Sequence, residues 1–263
     1  MEQAAHRRMR ELQNGHWWFD ARRRILEGLI SELKPPSGCR ILEVGCGPGG
    51  NLPMLSRFGE VTGLEPDAGA RRHAAASGVA RVRAGTLPDG LDLPKDSFDL
   101  VCAFDVLEHV AEDQASVVAL GELVRLGGWI AATAPAYPWM WSAHDEAHHH
   151  KRRYRRHEFE ALFRAAGLTV VKSSHFNAIL LPLAVATRAI KWLLGLTSPD
   201  DSMPAPWLNK ALLQLMASER GWLRRASLPL GLSLVVIARR EPDLTETTRS
   251  AVHHSSAERF TSK

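Results

Sequence analysis

The stretch that most constrains the fold is Ile41-Leu42-Glu43-Val44-Gly45-Cys46-Gly47-Pro48-Gly49-Gly50. An apolar run with one acid inside it leads directly into a glycine-rich turn. Glycines at 45, 47 and 49 permit positive φ and leave no Cβ between the backbone and a bound molecule. A strand that hands such a turn to a following helix opens a nucleotide-type βα unit, and a dinucleotide-binding turn has a similar outline. The rest of the chain decides which ligand the turn serves.

Residues 1–36 read as a helical lid that ends at Pro35-Pro36-Ser37-Gly38. It carries His16-Trp17-Trp18-Phe19 and then Arg22, Arg23 and Arg24. Adjacent tryptophans cannot share one helix face, so the cluster either anchors the helix on the domain or covers the ligand with an arginine facing a carboxylate. Strands then alternate with helices. Strands are expected at Arg40–Cys46, Val61–Leu64, Ala80–Ala84, Phe98–Phe104 and Trp129–Ala134. Helices are expected at Gly49–Phe58, Ala68–Ser77 and Ala111–Arg125, the last capped by Gly127-Gly128. A sixth strand at Leu168–Val171 follows a helix over Glu158–Ala166, and Ser233–Ala238 supplies the last. This rhythm predicts an α/β, Rossmann-like, seven-stranded and mostly parallel sheet with the last strand antiparallel, its ligand at the carboxyl ends of the strands. The core spans 37–176, a helical insertion or cap 177–232, the last strand 233–240, and a polar tail 241–263.

The chain has 263 residues, long enough for one large domain with an insertion. Its net charge of +4 comes mainly from dispersed arginines, with no dense basic tract. Nucleic acid is not expected as a partner, since no Asn/Asp-Pro-Pro-Tyr-like motif follows the fourth strand and no continuous basic groove is evident. Cys39, Cys46 and Cys102 have no CxxC spacing, Met1–Arg10 has no apolar core, and no apolar run is long enough to span a bilayer. A cytoplasmic protein is expected.

Glu65 closes the second strand, 20 residues beyond Gly45, where an acid accepts hydrogen bonds from both hydroxyls of a ribose. Glu43, two residues before the first glycine, suits a cationic ligand that bears an amino acid better than a diphosphate. Here the chain resembles the class I S-adenosylmethionine-dependent methyltransferases. The likeness rests on Glu43–Gly49, Gly63-Leu-Glu-Pro-Asp67, Leu93–Val101, Asp105-Val-Leu-Glu-His-Val110 and Leu123-Val-Arg-Leu-Gly-Gly128, five motifs in order. His16-Trp-Trp-Phe and the run Pro135–Tyr154 extend it toward a bacterial small-molecule subgroup. The resemblance implies S-adenosylmethionine as cofactor, with Gly45, Gly47 and Gly49 on its methionine part and Glu65, followed by Pro66, on the ribose. It further implies Phe104 lining the pocket, Thr86-Leu87 beside the adenine, and Arg22 reaching the cofactor's carboxylate.

Methyl transfer from a sulfonium is an in-line displacement, so the protein chiefly aligns the acceptor and excludes water. The acceptor side is expected in 136–154, with Tyr137, Trp139, Trp141 and Tyr154 as substrate contacts. His144, then His150, with Asp145, are the expected proton acceptors for a hydroxyl nucleophile. Arg152, Arg153 and Tyr154 can instead secure the next helix. The spacing of Asp105, Glu108 and His109 could offer one divalent ion three ligands, and some quinone-pathway O-methyltransferases use magnesium at this place. Metal-free relatives share the same run, and no metal is expected. The function expected is O-methylation of a small-molecule acceptor. N- or C-methylation and a non-catalytic cofactor-binding protein are the alternatives. The insertion is expected to cap the substrate, form a homodimer face, or touch a membrane surface with Trp192, Trp207 and Trp222 near Arg220, Arg224 and Arg225, which would suit a lipophilic acceptor.

Overall fold

The computed structural model describes residues 12, 13, 15–194 and 203–241, without the side chains of Lys191 and Trp192. Seven strands form one sheet: β1 (Cys39–Val44), β2 (Gly59–Leu64), β3 (Arg81–Arg83), β4 (Phe98–Phe104), β5 (Val124–Pro135), β6 (Thr169–Phe176) and β7 (Ser233–Arg239). Their order is 3-2-1-4-5-7-6. β1 to β5 pair in parallel, while β7 runs antiparallel to both β5 and β6. The seven-stranded, mostly parallel expectation holds, as does the antiparallel last strand.

Register positions the site. Val44 lies opposite Leu64 and Ala103, and Phe104 lies opposite Thr133. The carboxyl ends of β2, β1, β4 and β5 are therefore level, and the turns that follow meet at one edge. β4 is buried at every position, as its unbroken apolar run requires of a central strand covered on both faces.

Helix α1 (Trp17–Glu32) is part of the core. Its Ala21, Ile25 and Leu29 pack with Val235 and Ile237 of β7, while Leu26 and Ile30 pack with Ile41 and Leu100. The expected lid is thus corrected over this stretch to a fixed layer of the fold. Residues 1–11 lie outside the described residues. The opposite face is covered by α4 (Asp113–Leu123) and α6 (Arg156–Ala165), through Val117, Leu120, Phe159 and Phe163. Helices α2 (Leu52–Leu55) and α3 (Ala68–Ala76) complete the first half, and the short α5 (Ala143–Ala147) lies between β5 and α6.

Three local expectations are corrected. The helix expected over Gly49–Phe58 shrinks to the four residues of α2, its start held back by Gly49 at φ of 91° and Gly50. Gly127-Gly128 do not cap a helix: Val124 is already extended, and both glycines lie inside β5. β6 runs past its expected end at Val171 to Phe176, which leaves the insertion at its expected start of 177. The insertion holds α7 (Leu181–Leu193), α8 (Pro206–Ala217) and α9 (Glu219–Arg225). Met216 and Leu223 seat α8 and α9 on α1, and Trp17 N–H donates to Asn209 Oδ1 at 2.8 Å. The polar tail beyond residue 241 lies outside the described residues, as does the side chain of Trp192.

Candidate cofactor and acceptor site

The turn after β1 holds Gly45, Gly47 and Gly49 at φ of 65°, 54° and 91°. A Cβ on Gly45 would sit 2.6 Å from Val106 Cγ2, and one on Gly49 would sit 3.0 Å from Ala74 Cβ. Those two glycines let neighbouring chains approach. Gly47 differs: nothing lies within 4 Å of its Cβ position, so it faces open space in which a ligand can lie against bare backbone. Glu65, at the end of β2, ties the two turns together. Its Oε2 accepts from Gly47 N–H at 2.8 Å and its Oε1 from Asp67 N–H at 2.9 Å. Each oxygen keeps accepting capacity for a hydroxyl.

Glu43 is buried in β1, with Oε1 accepting from Asn51 Nδ2 at 2.7 Å and the other oxygen without a partner. Burial pushes its pKa up to about 7, against the opposing effects of the Asn51 hydrogen bond and the Arg22 charge. A cation delivered to this turn would supply the partner that the orphaned oxygen lacks. Asn51, which the sequence reading missed, has as its signal only its place directly after Gly49-Gly50.

Arg22 reaches this edge from α1 with its Nη2 engaged and its buried Nε without a partner. It pairs with Asp105 Oδ2 at 2.8 Å, donates to Thr133 Oγ1 at 2.6 Å, and lies over the rings of Trp18 and Phe104 at 5.2 and 5.7 Å. Thr133 Oγ1 in turn donates to Asp105 Oδ1 at 2.8 Å. The described carboxylate partner of Arg22 is Asp105, itself at φ of 54°. Thr86 is exposed in a turn whose O accepts from Gly90 N–H at 2.9 Å, Leu87 packs half-buried on the core, and Pro66 is exposed.

The segment after β5 separates into a wall and a buried polar knot. Tyr137 stacks on His175 at 5.4 Å and meets Trp139 at 5.5 Å, while Trp139 and Trp141 are exposed. Tyr154 does not belong to that wall. It is buried, with its hydroxyl on Asp113 Oδ2 at 2.9 Å and Leu107 O at 3.2 Å, so its expected role as a substrate contact is withdrawn.

Asp145 is fully buried and saturated. Its Oδ1 receives Arg153 Nε at 2.7 Å and pairs with His150 Nδ1 at 2.9 Å, and its Oδ2 receives the N–H and hydroxyl of Ser142. Burial raises its pKa, but the bonds from His150 and Arg153 outweigh that and hold it well below the ordinary range. It cannot serve as the proton acceptor expected of it, and it orients His150 instead. His144 is half-buried, its ring 4.3 Å from His148 and 6.2 Å from His150. His150 has the Asp145 carboxylate on its Nδ1, the arrangement that orients a catalytic imidazole.

His150 also completes a cluster. One ligand atom each from Glu108, His109 and His150 lies within 4.8 Å of the others. Glu108 is fully buried, and neither carboxylate oxygen has a hydrogen-bond partner. Burial and the nearby Asp105 push its pKa well up. Burial and His150 lower His109 to about 4, so its neutral, ligand-competent form prevails above that pH. Asp105 is not a member, because it turns away to Arg22. The expectation of no metal therefore meets a donor set able to hold one, with Asp145 fixing the ring of His150 from behind. This cluster borders the glycine turn, since Val106 packs directly on Gly45.

A family model described as "Methyltransferase domain" matches residues 12–173, well over half of the chain. The "Ubiquinone biosynthesis O-methyltransferase" of Methylocella silvestris is 39% identical over 104 residues, which cover 38% of this chain and 41% of that relative. The matched stretch thus spans about two fifths of that relative's length. Among solved structures, an S-adenosylmethionine-dependent methyltransferase from Mesorhizobium loti superposes with a TM-score of 0.55 at 18% identity, covering 81% of this chain and 98% of that one. The complex of the Haloferax volcanii Trm112 methyltransferase activator and its methyltransferase gives 0.61 at 17%, covering 91% and 96%. These two likenesses concern the fold. The chain belongs to the methyltransferase-domain family, and S-adenosylmethionine is its cofactor.

Proposed function

We propose that the chain transfers a methyl group to the hydroxyl of a small-molecule acceptor. The observation that carries this reading is the Asp145–His150 pair at 2.9 Å, whose imidazole meets His109 on the segment that follows β4. S-adenosylmethionine, when bound, supplies a methyl group on a sulfonium, so the reaction leaves a thioether, a methylated oxygen and one proton. Glu65 would hold the ribose hydroxyls, Gly47 would admit the ligand against the backbone, and Glu43 would face the ammonium. Asp145 accepts from His150 Nδ1–H, which leaves Nε2 as the acceptor for the hydroxyl proton. Tyr137, Trp139 and Trp141 suit an acceptor with an apolar or planar body. Amine or carbon nucleophiles remain the alternatives, and neither explains a carboxylate-oriented imidazole as directly.

A second reading is favoured by the two unpartnered oxygens of Glu108. A divalent cation held by Glu108, His109 and His150 would bind the acceptor oxygen and lower its pKa, so that little base is needed. The readings part on one experiment. With phenolic acceptors, His150→Gln lowers turnover under both. Chelation followed by addition of magnesium, manganese or zinc changes turnover only under the second, and calorimetry with the metal alone then shows binding that Glu108→Gln abolishes. Full turnover by His150→Gln, with or without metal, overturns both.

A further inference from the structure

Helix α7 (Leu181–Leu193) has the sequence Leu-Pro-Leu-Ala-Val-Ala-Thr-Arg-Ala-Ile-Lys-Trp-Leu, and none of its described side chains is buried. Leu183, Ile190 and Leu193 are 56%, 54% and 73% exposed. An isolated helix of this length is marginal in water, and its stability comes from the surface that its apolar side chains meet. Among the described residues no surface buries these side chains of α7. The protein does hold the helix in place: Glu219 Oε1 accepts from Ala178 and Ile179 N–H at 2.7 and 2.9 Å, and Arg188 donates to Met140 O. The second of these ties hangs α7 beside Trp139 and Trp141, the wall of the acceptor site.

The rest of the insertion has the same character. Trp207 of α8 and Trp222 of α9 are 73% and 70% exposed. Among the described residues of 177–232 the one carboxylate is Glu219, and it is buried. The bases are Arg188, Lys191, Lys210, Arg220, Arg224 and Arg225, of which Arg224 is paired with Glu32. An apolar helix, interfacial tryptophans and an excess of bases, six against Glu219 and the Asp200-Asp201 pair of the sequence, form the pattern of a segment that lies in the plane of a bilayer surface. At about 20 Å, α7 is too short to cross a hydrocarbon core of about 30 Å. Among the described residues no helix is long and apolar enough to cross a membrane. A second copy of the chain fits less well, because a two-fold contact would bring together two segments in which bases outnumber carboxylates.

We infer that the insertion docks this protein on an anionic lipid surface, with α7 lying in the interface beside the acceptor wall. This deepens the methyl-transfer reading, on which its purpose rests, by making the acceptor a lipophilic molecule taken from that surface.

The test is flotation of the full chain with vesicles of phosphatidylcholine alone and with a fraction of phosphatidylglycerol. Binding is expected with the anionic vesicles and falls steeply with salt. Leu183→Glu combined with Ile190→Glu should weaken it about tenfold or more. Lys210→Gln and Arg225→Gln should each weaken it about fivefold, the change equivalent to about 1 kcal/mol per basic residue near such a surface. Calorimetry with S-adenosylhomocysteine runs alongside. Unchanged ligand affinity in the variants shows that the fold is intact and separates failure of docking from failure of the methyltransferase reading. Absence of flotation by a chain that binds the ligand overturns the inference. So does a concentration-dependent dimer that the double variant dissolves, which would make the occupant a second copy. Flotation only after removal of residues 242–263 overturns it as well, since the tail would then cover the face.

Discussion

Glu65→Gln isolates the acid that joins the two cofactor turns. The change is isosteric, yet its consequence is large because both carboxylate oxygens face backbone donors, Gly47 N–H at 2.8 Å and Asp67 N–H at 2.9 Å. An amide has one acceptor oxygen, so its NH2 must confront one of these N–H groups. A buried donor left unpaired costs about 1–3 kcal/mol, and this loss should appear as a lower urea midpoint for the ligand-free protein. Binding loses a further charge-assisted bond to the ribose, about 1.5–3 kcal/mol, or about 10- to 150-fold in the affinity for S-adenosylhomocysteine. Calorimetry with S-adenosylhomocysteine and with its 2′-deoxy analogue separates the two effects. The variant should lose much more affinity for the ribose form than for the deoxy form. Equal losses would mean that Glu65 acts only by shaping the loop, and unchanged affinity for both would refute its placement on the ribose.

Further outcomes follow from the same geometry. Glu43 keeps its proton up to about pH 7 in the folded chain but only to about 4.5 when unfolded, so the unfolded state binds fewer protons between those values. Stability should therefore fall by up to about 3 kcal/mol as pH rises from about 4.5 to 7 and level off above, while affinity for the cationic cofactor rises through the same window. Urea midpoints and calorimetry in Glu43→Gln should lose both trends; if they persist, another group is responsible. Asp145→Asn removes the carboxylate that answers buried Arg153, and a cost of about 3–5 kcal/mol is expected in denaturant titrations. A near-neutral result would show that the polar knot around 142–153 is not load-sharing. In Gly45→Ala a Cβ must occupy a residue at φ 65°, 2.6 Å from Val106 Cγ2. Strain of about 1–2 kcal/mol or more should lower the thermal midpoint by several degrees, and an unchanged midpoint would contradict the packing described.

The sequence is most legible where chemistry and chain order coincide. The glycine turn, Glu43 and Glu65 are close in sequence and need particular residue types, so their spacing announces them. The central strands are readable because burial on both faces leaves an unbroken apolar run, as in Phe98–Phe104. The acceptor side is less readable because its partners come from distant segments. Nothing local says that Asp145 belongs to His150 and Arg153 and not to His144, nor that Asp105 turns from Glu108 to Arg22. Tyr154 misleads for a related reason. It follows an aromatic stretch that lines the wall, yet the parallel bridge between Ala136 and Tyr154 turns it into the core. Edge strand β6 is under-read because its buried half, Ser173-Ser174-His175-Phe176, is mostly polar and offers no apolar run.

The position of β7 governs how the chain can reach this structure. Being last in sequence, it is inserted between β5 and β6, and it also supplies Val235 and Ile237 to the surface on which the first described helix rests. Strand β6 therefore waits for β7 to arrive across the whole insertion, a closure of high sequence separation. On a ribosome, β1 to β5 can pair as they emerge, but β6 has no neighbour until Ser233–Arg239 is free. A chain cut before Ser233 would keep the cofactor turns yet expose the edges of both β5 and β6, making it prone to association through open strands. Synthesis of the carboxyl-terminal strand is the step that commits this protein to a single closed sheet.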